Sequence, residues 1–342
     1  MLYVTTRSKS ESYTAHHTLF TDRASDGGLF LPFRMPVLDA AAIKALKKNS
    51  FSENVAKVLQ LFFNTNISAW DIECAIGKTP ARILSMPHRV HFAKLWNTPQ
   101  SDYRSLCHKI YNALCGKPTG DKITDWADIA IRIAFMFGIC GLLQANGIES
   151  FDVVVNSGDF KEPMAVWYAR KMGLPVGTVI CVCNENSAAW DFLHRGELNT
   201  GASLIQTTTP DLDAALPFGL ERLIFETLGY DENRRFLEVA EKRRLYQIRP
   251  DMARQLSDGM FVSVVGNDRV ESVINSVYRS NGCILDPYTA VSYGGMQDYR
   301  AKTGESSPTV LLWEYNPISF CAVEQKATGL TSHEIEKNLN QI

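Results

Sequence analysis

Phe151-Asp-Val-Val-Val155 runs into Asn156-Ser-Gly-Asp-Phe160, and Glu162 to Met172 then carries a helical pattern that Gly173 ends. The first five residues are a short, nearly continuous apolar run, as a strand covered on both faces requires. Val176 to Cys183 is a second such run, followed by Asn184-Glu-Asn186. Together they frame a β-loop-α-β unit, and right-handed crossover lays its helix on the sheet. This grammar implies an α/β fold with a parallel sheet.

Strands are also expected at Met260–Val265 and Thr309–Leu312, with helices from Asp268 to about Ser280, from Asp286, and beyond Pro317. Leu216 to about Arg254 reads as helical, with Leu220, Leu223, Ile224 and Leu228 on one face. A long helix is predicted from a Thr124 or Asp125 cap to Gln144, and another from Arg104 to Leu114. Asp39 to about Ile76 has helical periodicity closed by Gly77, with a start near Ser68 or Asp71. Residues 1–35 look like strands and turns, His16-His17 falling in a loop. Residues 78–105 carry turn signals and no firm period.

The chain has 342 residues, 45% hydrophobic and 21% charged, with 35 basic against 37 acidic side chains. That length fits two domains or one large α/β unit, and the composition excludes disorder as the main state. A net charge of −2 supplies no basic footprint, so no nucleic-acid partner is expected. Lys242-Arg243-Arg244 and Arg234-Arg235 alternate with glutamates and read as a solvated helix face. Ile133 to Leu143 is too short to cross a bilayer, so no membrane partner is expected and a core helix is. No signal peptide is evident at Met1-Leu-Tyr-Val-Thr-Thr-Arg7. Eight scattered cysteines (74, 107, 115, 140, 181, 183, 283, 321) without a CxxC pair imply buried thiols, no metal site and a cytoplasmic location.

The loop Ser157-Gly158-Asp159-Phe160 joins a strand end to a helix N-terminus. Free N–H groups and the positive helix end there favour an anion. The Asp159 carboxylate repels one, and capping the helix is its other reading. Asn184-Glu185-Asn186 and Glu314-Tyr315-Asn316 follow other strands and point to the same region if the sheet is parallel. Histidines 88, 91, 108 and 194 form no ligand pattern.

These residues resemble threonine synthase, a fold-type II pyridoxal-phosphate (PLP) enzyme that makes threonine from phosphohomoserine. Tyr3-Val-Thr-Thr-Arg7 and Asp26-Gly-Gly-Leu-Phe-Leu-Pro32 are similar to its N-terminal segments. Val155-Asn-Ser-Gly-Asp-Phe160 with Trp167-Tyr-Ala-Arg-Lys-Met-Gly-Leu-Pro175 resembles its phosphate loop and following helix. Val182-Cys-Asn-Glu-Asn186, Thr207-Thr-Thr-Pro-Asp-Leu-Asp213, Leu220-Glu-Arg-Leu-Ile224 and Asp286-Pro-Tyr-Thr-Ala-Val-Ser-Tyr293 continue the match. The resemblance implies a three-layer, parallel-sheet domain of the tryptophan synthase beta-like kind (residues 121–342). An N-terminal α+β module (residues 1–115) would precede it.

The resemblance breaks where catalysis would sit. The family's Schiff-base lysine segment, Leu-Phe-His-Gly-Pro-Thr-x-Ala-Phe-Lys-Asp, best matches Leu95-Trp-Asn-Thr-Pro99-Gln-Ser-Asp-Tyr103-Arg104-Ser105, which sets Arg104 on the lysine. A guanidinium stays protonated and does not form an imine. The smaller lobe, with its Ser-Gly-Asp-Thr-Gly loop, has no counterpart between Leu114 and Lys122. The family's Gly-Asn-Phe-Gly becomes Gly158-Asp-Phe-Lys161, and its Thr-Ala-His-Pro becomes Glu314-Tyr-Asn-Pro317.

The expectation is therefore a pseudoenzyme with a binding or regulatory role and no PLP. A pocket would form from Ser157, Gly158, Asp159, Phe160, Asn184, Asn186 and Glu314, with Arg104 an anion contact. The ligand would be a small anion or an amino acid, and the chain would form a homodimer or pair with a full-length synthase. The alternative is an active PLP-dependent threonine synthase using Lys94 or Lys161.

Overall fold

A computed structural model describes residues 1–98, 101–120 and 122–341, so Pro99 and the proposed boundary residue Asp121 lie outside it. The chain begins with β1 (Leu2–Thr5), flanked in an antiparallel sheet by β2 (Tyr13–Thr14) and β3 (Phe30–Pro32). His16 and His17 sit in α1 (Ala15–Phe20), a helix where the sequence suggested a loop. Helices α2 (Ala40–Ala45), α3 (Phe51–Phe63) and α4 (Ala69–Ile76) follow. Ser50 and Ser68 begin α3 and α4 with reciprocal capping boxes to Glu53 and Asp71.

The unassigned stretch forms a hairpin of β4 (Arg82–Met86) and β5 (Val90–Lys94). Next come α5 (Tyr103–Cys115) and α6 (Asp125–Ala145), then β6 (Phe151–Asn156), α7 (Lys161–Lys171) and β7 (Val176–Cys183). The segment expected to be wholly helical contains α9 (Leu220–Leu228), α10 (Tyr230–Glu241) and α11 (Pro250–Leu256). It is interrupted by β9 (Leu245–Gln247), which pairs with β8 (Glu197–Asn199) after α8 (Ala188–Arg195). The chain finishes with β10 (Met260–Val264), α12 (Asn267–Asn281), α13 (Pro287–Thr303), β11 (Thr309–Trp313), α14 (Cys321–Thr328) and α15 (Ser332–Leu339).

The main sheet has strand order β10-β7-β6-β11-β5-β4. Five strands are parallel and β4 is an antiparallel edge, so the sheet is mixed where an all-parallel one was expected. Strands from before residue 115 and after residue 121 thus meet in one sheet. Alternation places Val153, Val155, Cys181 and Cys183 in the core on one face, shared with α3, α6 and α7. Val154, Ile180, Val182 and Leu311 fall in the core on the other, shared with α12 and α13. That gives three layers.

By length and apolarity α6 could cross a bilayer, contrary to the sequence reading, but 89% of its apolar window is buried inside the molecule. It crosses α3 closely at glycines. A Cβ on Gly141 would lie 2.5 Å from the Asn54 amide nitrogen and 2.9 Å from the Leu46 carbonyl oxygen. Gly141→Ala is therefore expected to cost about 1–3 kcal/mol, read as a lower urea midpoint.

The motif residues at the chain's start tie the N-terminal sheet to α9. The Thr6 hydroxyl donates to Glu221, and Arg7 donates to both Glu221 oxygens at 3.0 and 2.9 Å. Arg222, fully buried, donates to the Phe30 carbonyl at 3.2 and 3.0 Å and to Asp125. All eight cysteines are free thiols; Cys74 is exposed and Cys115 and Cys321 half-buried, so burial holds for five.

Candidate functional site

The loop 157–160 leaves the carboxyl end of β6 and is clamped from both sides. Ser157 N–H donates to the Val182 carbonyl at 2.8 Å, and the Asp159 carbonyl accepts the Gly219 N–H at 2.8 Å. Phe160 takes a left-handed conformation (φ 70°) with its ring wholly buried. Phe160 therefore anchors the loop, its ring turned into the core where the sequence expectation put it on the pocket wall. Asp159 precedes the N-cap position, which Phe160 holds, and its Oδ1 accepts the Lys161 backbone N–H at 3.1 Å.

Beside this loop lies a cavity of about 270 Å³ lined by Ser157, Gly158, Asp159, Lys161 and Glu162, with Asp128 and Arg132 from α6. Arg104 of α5, Asn156, Asp211, Leu212, Tyr288, Glu314 and Tyr315 complete it. A larger hollow shares Arg104, Asp128, Arg132 and Lys161 and continues past His108 and Lys122. Five predicted positions, Arg104, Ser157, Gly158, Asp159 and Glu314, thus converge.

Asn184 and Asn186 do not. The buried Asn184 amide donates to Thr207, Thr209 and Asp213 at 2.9, 3.1 and 2.7 Å. Asn186 donates to the Ile205 carbonyl at 2.8 Å and to Asp213 at 3.0 Å. Their amide donors go to segment 205–213, so neither lines the cavity where the sequence placed them, and Asn186 instead borders a separate hollow with Glu185 and Asp191. Asn316 caps a short turn by accepting the Ile318 N–H at 3.0 Å. Lys94 is buried in β5 with its ammonium 4.0 Å from the Trp96 ring centre, and it does not line the cavity.

The cavity wall is a chain of alternating charges. Arg132 pairs with Asp128 at 2.8 Å and with Glu162. Lys161 pairs with Asp128 at 3.3 Å and Asp159 at 3.2 Å, and lies 4.0 Å from Asp125, the partner of Arg222. Burial opposes the Lys161 ammonium, but Asp128, Asp159 and Asp125 outweigh it and raise its pKa. Burial pushes the Glu314 carboxyl up to about 8, helped by the charge of Glu162 and offset in part by Arg132. Tyr315 stacks on Tyr288 with ring centres 4.4 Å apart and donates to Asp211 at 2.8 Å.

Sequence reasoning missed Asp128, Arg132 and Glu162. A signal existed: Asp128 and Arg132 are an i, i+4 ion pair on an otherwise apolar helix, where charge needs a reason.

Residues 2–79 match the family model described as "Threonine synthase N terminus". The chain is 30% identical over 211 residues to threonine synthase of Pseudomonas aeruginosa, covering 59% of this chain and 43% of that protein. It is 29% identical over 175 residues to threonine synthase-like 1 of Homo sapiens, covering 49% and 24%.

Residues 2–79 carry the N-terminal segment of the threonine synthase family.

The chain spans less than half the length of these curated relatives. The fold agrees with that of the PLP-bound threonine synthase from Brucella melitensis, with a TM-score of 0.86 at 19% identity over 99% of this chain and 94% of that one. Yeast threonine synthase gives a TM-score of 0.85 at 17% identity, over 100% and 94%. The threonine-synthase fold is thus retained, while only nine residues separate the end of α5 from the start of α6.

Proposed function

We propose that this family member has lost PLP catalysis and uses the remaining cleft to bind a small polar ligand. The observation that carries the reading is the state of the charges around loop 157–160. A PLP phosphate is a dianion and needs free N–H groups and unspent cations. Here the Lys161 N–H is taken by Asp159, and Arg132 and Lys161 are each held between two carboxylates. The cavity sets five carboxyls (Asp128, Asp159, Glu162, Asp211, Glu314) against three cations (Arg104, Arg132, Lys161). These residues do not fit the phosphate.

They do not fit the aldehyde either. Imine formation needs a neutral amine. Arg104 cannot supply one, Lys94 lies outside the cavity, and the carboxylates around Lys161 stabilise its charged form. Arg104 is exposed, makes no ion pair among the described residues, and is the contact we assign to a ligand carboxylate or other anion. In this reading segments 1–115 and 121–342 flank the point where the family's smaller lobe is missing.

The test is incubation with PLP, then a visible spectrum and intact mass after borohydride. No new absorbance band and no mass gain are expected. A reduced adduct mapped to Lys94 or Lys161 would establish the active-enzyme alternative instead.

A further inference from the structure

The Glu162 side chain is 7% exposed, lines the cavity, and has Oε2 bound to Arg132. Its Oε1 is buried with no hydrogen-bond partner. A buried carboxylate oxygen left without a donor costs about 1–3 kcal/mol, so the site is incomplete as it stands. Most donors of the lining are spent, Arg132 on Asp128 and Glu162, Lys161 on Asp128 and Asp159, the Tyr315 hydroxyl on Asp211, and the one cation of the lining without an ion pair among the described residues, Arg104, is exposed. Glu314 stands in the same cavity and is also short of a counter-charge.

A metal ion would answer the charge, but among the described residues no group of three His, Cys, Asp or Glu side chains could hold one. An ammonium answers both needs, bringing positive charge and three N–H donors. The stacked Tyr288 and Tyr315 rings, which line the cavity, supply the electron-rich surface that such a cation favours. The volume of about 270 Å³ admits a small molecule.

We propose that the cavity is an amine site, in which the ammonium of a small organic amine donates to Glu162 Oε1 and to Glu314. The proposal rests on the loss of PLP binding and names the ligand chemistry of that same cleft, opposite in sign to a phosphate.

Glu314 is faced by Asp102 and Tyr103 of α5 and its cap, Arg132 of α6, Glu162 of α7 and Asp286 at the start of α13. Ammonium binding would draw the proton off Glu314, so affinity should rise between about pH 6 and about pH 9.

The experiment titrates the full chain calorimetrically with 1,4-diaminobutane and, separately, with inorganic phosphate. The diamine should bind and phosphate should not. Glu162→Gln and Glu314→Gln should each weaken diamine binding by about tenfold or more, with the circular dichroism spectrum kept. Phosphate binding as tightly as the diamine, or diamine affinity unchanged in both variants, would overturn the proposal. Failure of the underlying reading is separately visible, because a borohydride-fixed PLP adduct would reveal it. With no such adduct and no diamine binding, the amine site alone is refuted.

Discussion

Replacing Arg222 with alanine is expected to remove about 3–5 kcal/mol of folding stability. The side chain is fully buried, and its guanidinium serves two partners at once, the Phe30 carbonyl and the Asp125 carboxylate. Truncation leaves Asp125, at the first position of α6, without its buried counter-charge and the carbonyl of β3 without its donor. Domains of ordinary stability hold only about 5–15 kcal/mol, so this one substitution spends a large share of the margin. Urea unfolding followed by circular dichroism reads the loss. Adding Asp125→Ala should return part of it, since the uncompensated charge is then gone. A loss below about 1 kcal/mol would mean that the ion pair merely balances its own desolvation.

Glu324→Met should act in the opposite direction and depend on pH. Glu324 is fully buried in α14, and neither carboxyl oxygen has a hydrogen-bond partner. Burial, with the charge of Asp286, pushes its pKa up to about 9 from an ordinary 4.5. The folded chain then keeps a proton that the unfolded chain releases. Below about pH 4.5 the ionisation penalty is absent. Above it stability falls by about 1.4 kcal/mol per pH unit, levelling off above about pH 9. The stability advantage of the methionine variant should be larger at pH 7 than at pH 4.5 by about 3 kcal/mol. Asp286 and Glu314, also raised, weaken the parent in the same direction but are common to both proteins and cancel in the difference. Equal stability differences at pH 5 and pH 8 would contradict this account.

The β6-loop-α7-β7 unit was legible because three signals agreed: apolar runs of strand length, a glycine-bearing loop and a helical period. The β4–β5 hairpin was not. Arg82-Ile-Leu-Ser-Met86 is exposed or half-buried throughout, so it lacks the alternation of a half-buried strand. Its turn puts His88 and Arg89 in left-handed conformations at φ 61° and 58°, positions that glycine or asparagine would advertise. At three residues each, β8 and β9 are too short to show any period. In the site, Glu314, singled out by its place after a strand, and Arg104, singled out by the resemblance, both line the cavity. Asn184 and Asn186 stay out of it because a segment distant in sequence takes up their side chains. Nothing local to Asn184 reveals that Thr207, Thr209 and Asp213 return to meet it. The same holds for Glu221, whose partners Thr6 and Arg7 lie more than two hundred residues away.

That last separation bears on how the chain comes off the ribosome. The contact between Thr6 and Glu221 spans 215 residues. At about 5–20 residues per second, its second half arrives on the order of 10–40 seconds after its first. Until then the Thr6 hydroxyl and the Phe30 carbonyl that Arg222 will occupy lack these native partners. These polar anchors of the opening segment are thus completed long after its own residues are made, and in that interval its contacts with α3 and α6 hold it.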